Sequence, residues 1–130
     1  MSTLLNGLNH AMEKINIQEK YQCFDEHWSP HVVAKLNGQQ VLLAKVKGEF
    51  VWHAHQDEDE LFYVTKGKLT IAFRDREVEL QAGEMLVVPK GVDHRPYAEE
   101  ETWIMLFEPL SIQHTGGKAT AMTKSQYPSI

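Results

Sequence analysis

The chain has 130 residues, of which 42% are hydrophobic and 24% charged. These are the proportions of one globular domain, not of a disordered, collagenous or coiled-coil chain. Thirteen basic against eighteen acidic side chains leave a net charge of −5, which repels phosphate backbones and anionic lipid and argues against nucleic acid or a membrane surface as partner. A single cysteine, Cys23, cannot close an intrachain disulfide. No run approaches the roughly 20 apolar residues of a membrane span, and residues 1–7 lack the basic segment and apolar run of a signal peptide. The expected compartment is the cytoplasm.

In chain order, Leu4, Leu5, Leu8, Met12 and Ile15 recur at the helical period, and Ile17, Tyr21 and Phe24 continue it less regularly. The pattern predicts one or two short helices within residues 1–28, packed on the rest of the domain. Ser29-Pro30 ends it, because proline fixes its own φ and pushes the preceding residue out of helical space. From 29 to 112 the chain reads as β structure. Val32 to Leu36 and Val41 to Val46 flank Asn37-Gly38, a two-residue hairpin signal. Short apolar runs come next at Phe50–Trp52, Leu61–Val64, Leu69–Phe73, Val78–Leu80, Met85–Val88 and Trp103–Phe107. Strands this short, with no long helix between them, predict an all-β domain, a small antiparallel barrel or sandwich, over a parallel sheet. Residues 113–130 are polar and rich in Gly, Ser and Thr. They are expected to be a loose tail, or an arm that orders only against another chain.

His53-Ala54-His55 lies in a segment that reads as extended, where residues two apart share a face, so both imidazoles project the same way. Glu60 opens an apolar run with Phe62 and Val64 on its face, and His94 comes after the turn Pro89-Lys90-Gly91-Val92-Asp93. Three imidazoles and one carboxylate form a nitrogen and oxygen set suited to one divalent transition metal ion (Fe, Mn, Ni, Co, Cu or Zn), and the lack of a thiolate or an all-oxygen cage disfavours calcium and magnesium. With the ion's two charges and the carboxylate's one, the site would carry one net positive charge and attract oxygen-donor ligands. His10, His27, His31 and His114 are expected at the surface or in packing roles. Cys23 is expected in the core, with no basic neighbour to activate it.

The spacing of these residues resembles the cupin superfamily. Its first motif, glycine, H-x-H, glutamate, glycine, appears as Gly48, His53-Ala54-His55, Glu60 and Gly67. Its second, glycine, five residues, P-x-G, two residues, histidine, appears as Gly83, Pro89-Lys90-Gly91 and His94. Two positions depart from the pattern: four residues separate Gly48 from His53 where the family has about five, and Ala98 stands where it often has asparagine. The resemblance implies a jelly-roll barrel with His53, His55, Glu60 and His94 as metal ligands. It also implies a small-molecule metalloenzyme of the dioxygenase, isomerase or epimerase, or lyase kind, or else a non-catalytic member that senses or stores a metal or small ligand. Glu26 to Pro30, Phe107-Glu108-Pro109 and His114 to Gly116 resemble small single-domain cupins sometimes labelled by likeness to sugar-phosphate isomerases. Such cupins commonly pair, so a homodimer is expected.

If His53 and His55 face inward, alternation turns Val51 inward and Phe50, Trp52 and Ala54 outward. Trp52 then needs a cover, from the leading helices or from a second subunit. Phe62, Val64, Val51 and some of Met85, Val87, Met105 and Phe107 are expected to line the interior. Tyr63, Tyr97, Arg74 and Gln81 are available by type for acid–base work, but a register shift of one residue reverses each face, so none is assigned.

Overall fold

The computed structural model describes residues 11–110 and 127–130. Its elements are α1 (Ile17–Tyr21), β1 (His31–Leu36), β2 (Gln39–Glu49), β3 (Glu60–Lys66), β4 (Lys68–Phe73), β5 (Glu77–Gln81), β6 (Met85–Val88) and β7 (His94–Pro109). The named strands pair antiparallel throughout. The first hairpin closes as its sequence predicts: Asn37 and Gly38 both have positive φ, 51° and 73°, and Leu36 pairs with Gln39. This is the primed turn whose twist matches that of the strands.

Closure depends on the 16-residue β7. Its second half, from Trp103 to Pro109, pairs with β2 on one side, and Trp103 to Phe107 pair with β3 on the other. Its first half, from His94 to Tyr97, pairs with β4, which in turn carries β5. One bent strand therefore joins both parts of the sheet and folds them over a shared interior, giving an all-β jelly-roll barrel.

Register sorts the side chains by parity. Gln40, Glu108, Glu60 and Val88 align across β2, β7, β3 and β6 and are buried. The next inward row is Leu42, Leu106, Phe62 and Leu86. The odd residues form outward rows, Val41–Phe107–Leu61–Val87 and Leu43–Met105–Tyr63–Met85. Fully buried Leu42, Leu69 and Ile71 in the barrel core each contribute about 1.5–3 kcal/mol by leaving water. On the outer face, α1 covers part of the sheet. Its N-cap Asn16 accepts a hydrogen bond from the Glu19 N–H at 3.0 Å. Tyr21 stacks on Trp103 at 4.6 Å and donates its hydroxyl to the Ile104 carbonyl at 2.7 Å.

Several expectations need correction. Residues 11–16 are not helical: Met12 is exposed with φ of 66°, which breaks the apparent period, while Leu4, Leu5 and Leu8 lie outside the described residues, as do His10 and His114. Phe50–Trp52 is not a strand, because the chain leaves β2 after Glu49. Phe50 turns inward, is buried and stacks on Trp28 at 4.7 Å. Among the described residues, Trp52 is covered by guanidinium groups, Arg74 at 3.7 Å and Arg95 at 5.4 Å from the ring centre. Cys23 is exposed, because the single turn of α1 directs Tyr21 and Phe24 onto the sheet and leaves Cys23 on the far side. His31 does pack, stacked on Phe24 at 4.0 Å, and His27 is a surface residue paired with Glu101.

The final residues order against this chain itself. Val32 of β1 donates its N–H to the Pro128 carbonyl at 2.8 Å and accepts from the Ile130 N–H at 3.0 Å. An edge strand presents unpaired backbone groups of this kind, and the tail satisfies two of them. Among the described residues no helix is long and apolar enough to cross a membrane.

Candidate metal centre

The barrel gathers the four residues from three parts of the chain. After the bulge between Val46 and Gly48, with Gly48 at φ 82°, the chain turns across the barrel mouth. The backbones of His53 and His94 then exchange paired hydrogen bonds at 3.0 and 2.9 Å. His53 and His55 are both buried with half-buried Ala54 between them, so the H-x-H reading of a shared face holds without a regular strand. Glu60 begins β3 on its inward parity, and His94 begins β7. The Gly91 N–H donates to the His55 carbonyl at 2.7 Å, tying the turn before His94 to the histidine pair.

None of the four is more than 5% exposed, and one nitrogen or oxygen from each lies within 4.8 Å of the others. Nδ1 of His53 lies 2.9 Å from the Val51 carbonyl and Nδ1 of His94 lies 3.0 Å from the Val92 carbonyl. A carbonyl only accepts, so both rings carry their proton on Nδ1 and turn the Nε2 lone pair away from the backbone. His94 Nε2 is buried and has no hydrogen-bond partner; Glu60 Oε1 stands 3.8 Å from it. His55 Nε2 is closer, 3.1 Å from the same oxygen.

The electrostatics hold His53 and Glu60 in the forms that ligate. Burial first, and then the charge of nearby His94, lowers His53 to about 4, so it is neutral at pH 7. Burial alone would raise Glu60, but the hydrogen bond from His55 and the approach of His94 outweigh it and bring the carboxyl down to about 2. Three imidazoles and one carboxylate in a buried cluster fit a divalent ion. Bonds of about 2.1 Å put opposite ligands at most about 4.2 Å apart, so a 4.8 Å spread closes with side-chain shifts of a few tenths of an ångström. The orphaned His94 Nε2 is the atom such an ion would satisfy.

A cavity of about 30 Å³ adjoins the cluster. His53 and Glu60 form its polar side; Trp28, Phe50, Phe62, Ile104 and Leu106 are among its apolar walls. Phe62 therefore lines the interior as expected, whereas Val64 is deeper core and Val51 is only half-buried. Met85, Val87 and Phe107 are exposed and Met105 sits on the outer row, because the inward parity of β6 and β7 is even. None of the candidate acid–base residues faces the cavity. Tyr97 donates to Glu77 at the surface, Arg74 pairs with Asp93, Gln81 is exposed, and Tyr63 lies on the outward row.

Sequence reasoning missed Glu108. It is 1% exposed, stands in the inward row beside Glu60, and neither carboxyl oxygen has a hydrogen-bond partner. Burial, reinforced by the charges of Glu60 and Glu58, raises it well above the usual carboxylate range. Parity counted from His94 along one continuous strand would have placed it inward.

A family model for the cupin domain matches residues 40–112, more than half of the chain. The chain belongs to the cupin family. A solved cupin-2 domain protein from Shewanella frigidimarina is 53% identical to this cupin, with a TM-score of 0.75, covering 78% of this chain and 99% of that one. The uncharacterized protein YdbB of Bacillus subtilis (strain 168) is 40% identical over 96 residues, 73% of this cupin and 76% of YdbB. An acireductone dioxygenase from Yarrowia lipolytica is 30% identical over 74 residues, which span 53% of this cupin and 42% of that enzyme.

Proposed function

We propose that this cupin is a metal-dependent enzyme acting on a small molecule, with one divalent transition metal ion held by His53, His55, Glu60 and His94. The observation that carries the reading is the buried cluster itself, in which His94 Nε2 lacks a hydrogen-bond partner. Leaving a buried polar atom unsatisfied costs about 1–3 kcal/mol, a penalty that coordination would remove. Four protein donors are fewer than the six an octahedral ion takes, and the adjoining cavity gives space for a small group of a substrate at the remaining positions.

When bound, the ion supplies Lewis acidity and, for a redox metal, reactivity toward dioxygen. The protein's own groups do the rest. Val51 and Val92 carbonyls fix the ring tautomers, Glu60 contributes the one negative charge, and the apolar walls exclude water and so strengthen the site's field. A dioxygenase reaction is favoured over isomerisation: the cavity lacks the polar side chains a sugar would need, and one curated relative, 30% identical over 74 residues, is a dioxygenase.

Elemental analysis of purified wild type, His55→Ala and His27→Ala tests the assignment. Wild type and His27→Ala should hold close to one equivalent, and His55→Ala should lose most of it, since removing one supporting or ligating group costs about 10–100-fold or more in affinity. Equal metal content in all three would refute it. Oxygen uptake with the loaded protein then separates dioxygenase from isomerase chemistry.

A further inference from the structure

The cavity beside the cluster is selective in two ways, size and polarity. Its volume of about 30 Å³ holds one or two waters, so only a small group enters without displacing side chains. Apart from His53 and Glu60 its lining is wholly apolar; among the described residues no lysine, arginine, hydroxyl or amide side chain lines it. Trp28 presents only its ring surface there, because its indole N–H is already donated to the Lys47 carbonyl at 2.9 Å. Phe50, stacked on Trp28, meets His53 edge-on at 5.4 Å and closes the wall beside the imidazole.

The nearby cations are engaged elsewhere. Lys45 donates to the Phe24 carbonyl at 2.8 Å in the outer cluster under α1, and Arg74 and Arg95 lie over Trp52. A phosphate brought into this cavity would find no cationic side chain and no donor to replace its water, and a buried polar group without such replacement is strongly disfavoured. A polyhydroxylated ring would meet the same lack for each hydroxyl. A methyl or short alkyl group gains about 0.8 kcal/mol for each buried CH₂.

We infer that the site takes a small oxygen-donor ligand with a short apolar body, its oxygens toward the histidine–glutamate cluster and its hydrocarbon part between Phe50, Phe62 and Ile104, and that it rejects sugar phosphates. This rests on the metal-dependent reading above and narrows it to a substrate class. Ala44 and Ile104 both line the cavity and neither belongs to the cluster, so they set ligand size.

Calorimetry on zinc-loaded protein tests it, with acetohydroxamate, hexanohydroxamate and glucose 6-phosphate as probes and metal content measured on each sample. Acetohydroxamate should bind wild type at least about tenfold more tightly than the sugar phosphate. Ala44→Leu should weaken acetohydroxamate by about tenfold or more, the usual effect of misfitting a methylene in an apolar pocket, with metal content unchanged. Ile104→Ala should bind hexanohydroxamate about tenfold more tightly than wild type does, a gain that misfolding cannot produce. Full metal content with equal or tighter binding of glucose 6-phosphate, or with probe affinities indifferent to both substitutions, overturns the ligand class alone. Protein that takes up no zinc overturns the metal reading and the ligand class with it.

Discussion

Replacing Glu108 by Gln should make this cupin more tolerant of rising pH. Glu108 is buried in the row Gln40–Glu108–Glu60–Val88, with no cation among the described residues pairing it and with Glu60 and Glu58 adding negative charge nearby. Its folded-state carboxyl is therefore raised and keeps its proton at pH values where the unfolded chain has lost it. In that interval the folded state binds the extra proton, so stability falls as pH rises, with a slope approaching about 1.4 kcal/mol per pH unit. Glutamine has the same shape and does not titrate, so the slope vanishes. Its buried amide adds an offset, but that offset does not change with pH.

The assay is urea denaturation of metal-stripped wild type and E108Q at pH 5, 6, 7 and 8, with a common m-value required in both series. Every other titrating group is shared, so the difference between the two series isolates Glu108. That difference should move steadily toward the variant as pH rises. Parallel stability curves would mean that Glu108 ionises in the folded protein as it does in water, and would refute the argument from its burial.

The opposite slope is expected from His53, lowered to about 4 by burial and then by His94. Between pH 6.5 and about 4 the unfolded chain takes up a proton that the folded one refuses, so metal-stripped protein should lose about 1.4 kcal/mol per unit of acidification, and His53→Gln should flatten that limb in the same denaturation series. Gly67 has φ of 91°, and a Cβ there would stand 2.7 Å from Thr102 Oγ1, which accepts from the Lys68 N–H and donates to the Lys68 carbonyl. Gly67→Ala should cost about 1–3 kcal/mol, measured by thermal or denaturant unfolding. If a second copy covers the outward rows that leave Met85, Val87 and Phe107 exposed, Val87→Lys should convert a dimer into monomer by analytical ultracentrifugation with unfolding stability nearly unchanged.

The sequence made the barrel legible because short β-branched and aromatic runs alternate with turn residues whose backbone demands are local. Asn37-Gly38 needs no tertiary context to adopt positive φ. The four clustered residues were legible for a different reason: two lie on one face of an extended segment, and the other two come after turns at fixed offsets. What failed was parity beyond short range. Trp103 to Phe107 is apolar on both faces, since the odd side chains meet α1 or the exposed rows and the even ones meet the core, so nothing within that run tells inside from outside. Only its continuity with His94, 14 residues earlier in the same 16-residue strand as Glu108, settles the question. Cys23 and Trp52 depend on partners far away in sequence, the sheet under α1 and the two arginines, which periodicity cannot reveal.

Pro128 and Ile130 lie along Val32 and take up hydrogen-bonding capacity on the outer side of β1. Such a side is a template on which a foreign strand grows, and here it is occupied by a short stretch that pairs with Val32 and packs Tyr127 and Ile130 on the barrel. The occupant works as a seal: peeling it away would pull Tyr127 and Ile130 out of their packing on the two apolar clusters and would bare a sticky margin. Resistance to strand addition along β1 thus depends on how firmly residues 127–130 stay in place.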